Sequence, residues 1–203
     1  MMTCLRLEGG RRMSNTRLIE AATRGETLTV QFLLDQGEDV DARDEEGQTA
    51  LMVASFKGEA AVVRELLRHG ANPLIKNRED YSALLFAVVN NHMESVEAIL
   101  EACPQALDEK EREGWTSLMW SAVMGHAAIA ETLLNHGADP NGKSQDGTTA
   151  LILASSKGHA DVVSLLLDHG ADPCLENNKG QTAFSVAEVC GCDIVRLLKK
   201  AMK

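Results

Sequence analysis

No window of the sequence approaches the roughly 18 consecutive apolar residues that a membrane-spanning helix needs. Met1 to Met13 scatter Leu among Arg without a continuous apolar stretch, so a secretory leader is not expected either. Met13-Ser14-Asn15 reads as an equally good chain start, and residues 1–14 are expected to form a flexible extension. The five cysteines (Cys4, Cys103, Cys174, Cys190, Cys192) are odd in number and irregularly spaced, which suggests neither a disulfide framework nor a zinc site. Cys190 and Cys192 flank a single glycine but bring no further ligands. A reducing compartment, cytoplasmic or nuclear, is expected. Basic residues are few, 20 Lys+Arg against 30 Asp+Glu, for a net charge of −10. They concentrate at the ends: residues 1–17 carry +3 and 196–203 carry +4, leaving −17 on the body between. Such a body repels a phosphate backbone, so nucleic acid is not an expected partner of the main surface, and basic protein surfaces are.

What is present is a repeat. Residues 44–76 and 144–176 align without a gap and are identical at 17 of 33 positions. The offset of 100 divides into stretches of 33, 34 and 33 residues, namely 44–76, 77–110 and 111–143. Partial copies stand at 15–43 and 177–203, giving six repeats in one domain from residue 15 onward.

Every repeat carries the same instructions. A turn residue (Gly47, Asp80, Gly114, Gly147, Gly180) is followed two positions later by Thr49, Ser82, Thr116, Thr149 or Thr182, hydroxyls able to cap a helix. A short apolar run then ends in a small residue (Ala54, Ala87, Ser121, Ala154, Ala187) that lets helices approach closely. After a punctuating glycine comes a second apolar helix with a core pair such as Leu66-Leu67 or Leu133-Leu134, stopped by Gly37, Gly70, Gly137 or Gly170. Helices this short do not persist alone in water. Each pair must bury its face against the next, which makes an all-α solenoid of stacked helix-turn-helix repeats with the first and last as caps. A stack capped at both ends is expected to be monomeric.

The 33-residue period, with G-x-T-A-L, a small residue, G-H, V-V-x-x-L-L and H-G-A-D/N-P, resembles the ankyrin repeat across residues 15–203. Proline at the first helical turn and the histidine of the family's T-P-L-H stretch are absent, as in Thr49-Ala50-Leu51-Met52. The resemblance implies finger-like, β-hairpin turns between repeats and a groove lined by the first helices. It also implies a site of asparagine hydroxylation at Asn141, eight residues after Leu133.

Catalytic constellations are not expected. All six histidines fall on two repeat positions: His92, His126 and His159 after the first helix, and His69, His136 and His169 at the end of the second. The period accounts for them as helix-end hydrogen-bonding groups rather than a convergent site. Gly137 to Ser144 satisfies G-x-x-x-x-G-K-S, the phosphate-loop pattern, but here the first glycine closes a helix and another turn follows the serine. A nucleotide-dependent switch or enzyme using Lys143 is therefore an alternative only. Acid pairs such as Glu45/Glu46 and Glu111/Glu113 read as solvated turns. No metal site or cofactor is expected.

The residues that the period does not explain point to binding. The tips of the fingers are expected at Glu46/Gln48, Glu79/Tyr81, Glu113/Trp115, Asp146/Thr148 and Lys179/Gln181. The exposed ends of the first helices are expected at Phe56/Lys57, Val89/Asn90, Val123/Met124, Ser156/Lys157 and Val189/Cys190. Of only seven aromatic residues, Phe56, Tyr81, Phe86, Trp115 and Trp120 lie between 56 and 120. Tyr81 and Trp115, one residue before a capping hydroxyl, are expected to be exposed and to contact a partner; Phe86 and Trp120 are expected to pack between repeats. Cys103-Pro104 and one added residue mark an irregularity beside them. The reading is a non-catalytic adaptor, inhibitor or regulatory subunit. It would bind another protein, one with a basic segment carrying hydrophobic anchors, through Phe56, Lys57, Glu79, Tyr81, Val89, Asn90, Glu113, Trp115, Trp120, Met124 and Lys157. Electrostatic anchoring through the basic termini is the other alternative.

Overall fold

The computed structural model describes residues 17–187 and 192–202. The expected extension at 1–14 and the expected helix-end residues Val189 and Cys190 lie outside them. The chain forms two compact units, one ending at Ala106 and one beginning at Leu107.

The first unit contains α1 (17–23), α2 (Thr27–Asp35), α3 (Ala50–Lys57), α4 (Ala60–Arg68), α5 (Ala83–Val89) and α6 (Met93–Ala102). The second contains α7 (Ser117–Met124), α8 (Ala127–Asn135), α9 (Ala150–Lys157), α10 (Ala160–Asp168), α11 (Ala183–Ala187) and α12 (Cys192–Ala201). The Cys103-Pro104 irregularity is a 3-10 turn, Pro104–Asp108, and the division between the units falls within it. No helix among the described residues is long and apolar enough to cross a membrane.

First helices begin where the sequence places a hydroxyl. The side chains of Thr49, Ser82, Thr116 and Thr149 each accept a hydrogen bond from the amide three residues on, at 3.3 Å in every case. The cap satisfies one of the donors that a helix start leaves unpaired. Within the first unit α3 packs on α5, α2 on α4 and α4 on α6; within the second α7, α9 and α11 form one layer and α8, α10 and α12 the other. Ala54, Ala87, Ser121, Ala154 and Ala187 are all buried, so the first helices do meet over small side chains. Larger residues fill the space between layers: Leu51, Met52, Leu66, Leu84 and Ile99 in the first unit, and Leu118, Met119, Ile129, Leu133 and Leu151 in the second.

Candidate protein-interaction surface

Each finger is built on one polar side chain three residues before the left-handed turn position. Asp44, Asn77, Glu111 and Asn177 accept hydrogen bonds from the amides two and four residues on, as Asn77 does from Glu79 (3.0 Å) and Tyr81 (2.9 Å). Ser144 does the same for the Thr148 amide at 3.0 Å. Single antiparallel bridges, Lys76 with Ser82 and Lys110 with Thr116, close two of these turns. Adjacent fingers are tied together by backbone bonds: the Arg78 amide to the Glu46 carbonyl, Gln145 to Glu113, and Asn178 to Asp146. These supports escaped the sequence reading, although a polar residue three before every turn residue was visible in it.

Two expectations are corrected here. Glu111, read as a solvated acid, is only 8% exposed, because its carboxylate is spent on the amides of Glu113 and Trp115. Thr148, read as a tip residue, is buried against the start of its finger. Glu46, Glu79, Glu113, Asp146, Lys179 and Gln181 do stand exposed. The Asp146 carboxyl is held below the usual aspartate range by hydrogen bonds from Ser144 and then Thr148.

Tyr81 and Trp115 are half-buried instead of free, because each ring folds back onto the first helix that follows it. In the first unit Tyr81 meets Phe86 edge-on, with centroids 5.9 Å apart, and Phe56 meets the same Phe86 at 5.9 Å and 88°. Phe56 remains 44% exposed, and the Lys57 ammonium lies 5.4 Å from its ring centre. Val89 and Asn90 are half-buried nearby in sequence, the Asn90 amide donating to the Phe86 carbonyl at 2.9 Å. In the second unit Trp115 and Trp120 pair at 5.0 Å, inclined by 51°. The Trp120 indole N–H is buried with no acceptor in reach. Met124, at the end of α7, is 43% exposed, and Lys157 ends α9 in solvent. Such ring pairs add about 0.5–1.5 kcal/mol beyond simple burial and hold one another in place.

The remaining motifs are structural. His92 donates from Nε2 to the Phe56 carbonyl (3.1 Å), and His159 to that of Val123 (3.2 Å), each reaching back into the preceding repeat. His69 and His136 bond carbonyls of their own helices through Nδ1. The segment 137–144 leaves α8 and enters a finger: Lys143 Nζ donates to the Glu176 carbonyl (3.0 Å) and Ser144 Oγ to Asp146 (2.6 Å), and the next helix starts only at Ala150. Lys110 reaches the Lys143 carbonyl in the same way, one period earlier. Asn141 donates its side-chain amide to the Gly170 carbonyl and accepts from the Asp172 amide. Among the described residues no group of three His, Cys, Asp or Glu side chains is placed to hold a metal.

Paired helices on a 33-residue period, capped by Thr or Ser and joined by fingers, define a helical-repeat solenoid. The sequence profile for ankyrin repeats in three copies matches residues 4–77, 70–144 and 139–203, and the chain belongs to the ankyrin-repeat family. An ankyrin repeat domain from Acinetobacter baumannii AYE is similar with a TM-score of 0.85 and 31% identity, over 91% of this chain and 97% of that one. So is a chain in the structure of a predatory endopeptidase from Bdellovibrio bacteriovorus in complex with an immunity protein, with a TM-score of 0.80 and 33% identity over 91% and 97%. No curated protein matches the chain. In all, 538 chains of solved structures match, so likeness of fold does not single out a target. Ankyrin repeats generally mediate binding between proteins and are generally not catalytic.

Proposed function

We propose that this chain is a non-catalytic protein-interaction module that acts by occupying or masking its partner. The observation that carries the reading is that three rings of the first unit (Phe56, Tyr81 and Phe86) and the two tryptophans of the second are fixed against one another beside a finger, with Phe56 and Met124 left open to solvent. In the first unit the contact surface is Phe56, Lys57, Glu79, Tyr81, Val89 and Asn90; in the second it is Glu113, Trp115, Trp120, Met124 and Lys157. Rigid aromatic anchors lose little entropy on binding and dominate interface energetics. With Glu79, Glu113 and Asp146 exposed around them, the partner of best fit presents apolar anchors flanked by Lys or Arg. Of the adaptor, inhibitory and regulatory forms of this reading, the inhibitory one is favoured by likeness to a chain from a complex of an endopeptidase with an immunity protein.

The test is capture from a lysate of the source cells with the wild type, Phe56→Ala and Trp115→Ala as separate baits, with circular dichroism confirming that each bait is folded. A protein retained by the wild type and lost from at least one variant supports the reading and says which unit holds it. Equal retention by all three baits removes these surfaces from consideration. The two tryptophans of the chain are both in the second unit's pair, so their fluorescence reports a candidate partner at that surface directly.

A further inference from the structure

The outer face of α2 is apolar where the fold calls for polar residues. Leu28 is 81% exposed and Phe32 59% exposed, four residues apart and so on one face of the helix. One period on, Phe32 corresponds to Glu65 of α4, whose side chain is only 15% exposed because α2 packs over it. Two periods on it corresponds to Ala98 of α6, buried beneath α4. Phe32 therefore occupies a stacking position over which, among the described residues, no helix is stacked. Leu28 stands where the other second helices carry Ala61, Glu94, Ala128 and Asp161. A helix face left open at the end of a stack is ordinarily polar, and this face of α2 is not.

Charge narrows what fits there. Residues 17–41 hold six acids and two arginines, and α2 itself has no basic residue, so two copies of this face repel each other. Helix α12 and its end carry the opposite sign: Arg196, Lys199 and Lys200 are exposed, with Asp193 the lone acid in 192–203. Met202 is exposed beside them, and the lysine stems add apolar length under their charged heads.

We propose that the chain associates reversibly with a second copy of itself, head to tail, with α12 of one molecule stacking on the Leu28/Phe32 face of α2 of the next. This is an additional surface, independent of the finger surfaces proposed above. The contact is heterologous, so a pair of molecules keeps one free head and one free tail.

Sedimentation equilibrium of the full chain over a range of protein concentrations tests it. Wild type is expected to show a mass that rises with concentration and falls with added salt. Phe32→Glu removes the head, and Lys199→Glu with Lys200→Glu removes the tail; all three positions are exposed, so both variants fold. Each variant alone is expected to be monomeric, whereas an equimolar mixture forms a one-to-one dimer and nothing larger, since only one live head and one live tail remain. Wild type that stays monomeric at its highest soluble concentration overturns the proposal. So does a mixture that stays monomeric. Association that survives the lysine reversals but not Phe32→Glu shows that some other surface, not α12, covers the face, and overturns it equally.

Discussion

The ring of His92 lies against the α-carbon of Gly58: a Cβ placed on that glycine would come within 2.5 Å of Nδ1. From this position Nε2 donates to the Phe56 carbonyl, one of the last in α3 and without a partner inside its own helix. His159 stands in the same relation to Gly125 and Val123. Gly58 also has φ of +77°, so both its conformation and the histidine require the absence of a side chain.

The pair is expected to behave as one element in urea unfolding. Gly58→Ala should cost about 1–3 kcal/mol through backbone strain and the displaced ring. His92→Ala should cost about 0.5–1.5 kcal/mol through the lost hydrogen bond. The double variant should cost clearly less than the sum, because removing the ring relieves the clash. Additive losses would mean that the ring does not constrain the glycine.

Glu111 is the one glutamate among the five finger-supporting residues; the others are Asp44, Asn77, Ser144 and Asn177. Its two bonds go to backbone amides, which an asparagine bonds equally well in two other repeats. Glu111→Asn is therefore expected to hold stability within about 0.5 kcal/mol, whereas Glu111→Ala takes the acceptor from two part-buried donors and should cost about 1–2 kcal/mol. Denaturant titration of both variants checks this. An asparagine variant as unstable as the alanine one would show that the charge, not the acceptor geometry, supports the finger.

The fold was legible because its signals recur. A period of 33 residues repeats each cap, small residue and stop, so Thr49, Ala54 and Gly58 are each read several times over. The site was less legible because its determinants are contacts between positions that the period treats separately. Nothing in the order of residues says that Tyr81 folds back to meet Phe86, or that Phe56 meets the same ring from the preceding repeat. Glu111 misled for a related reason. A charged residue in a turn is ordinarily solvated, and only the paths of the Glu113 and Trp115 amides turn it inward. Leu28 and Phe32 were readable as apolar but not as exposed, since exposure on the face of a helix depends on what is stacked there.

The hydroxyls of Ser55 and Ser155 occupy equivalent positions in α3 and α9, are fully buried, and have no hydrogen-bond partner. Burying an unpaired hydroxyl costs roughly 1–3 kcal/mol, while an alanine at the same place buries nothing polar. Ser55→Ala and Ser155→Ala should each leave stability unchanged or raise it by up to about 1 kcal/mol, read as a higher denaturation midpoint with an unaltered slope. A loss of more than about 1 kcal/mol in either would show that the serine bonds a group in solution.

Acid is expected to weaken the finger that contains Asp146. Its carboxyl accepts from the Ser144 hydroxyl at 2.6 Å and the Thr148 amide at 3.2 Å, which favours the ionised form and lowers its folded pKa. The unfolded chain titrates near the ordinary value of about 3.9. The stability contributed is thus full above about pH 4 and is lost as pH falls from there through the lowered folded value. Asp146→Asn removes the titration while keeping an acceptor, so the advantage of wild type over this variant should shrink steadily below about pH 4 and be flat above about pH 5. Side-chain carboxyl chemical shifts followed through the same range should give Asp146 a midpoint below that of a model aspartate. Because the residue is exposed, solvent screens the effect and the difference should be small, so the sign of the trend, not its size, is decisive. A gap between wild type and variant that widens toward low pH would mean that the carboxylate is strained where it sits, and that Ser144 orders the finger through the Thr148 amide alone.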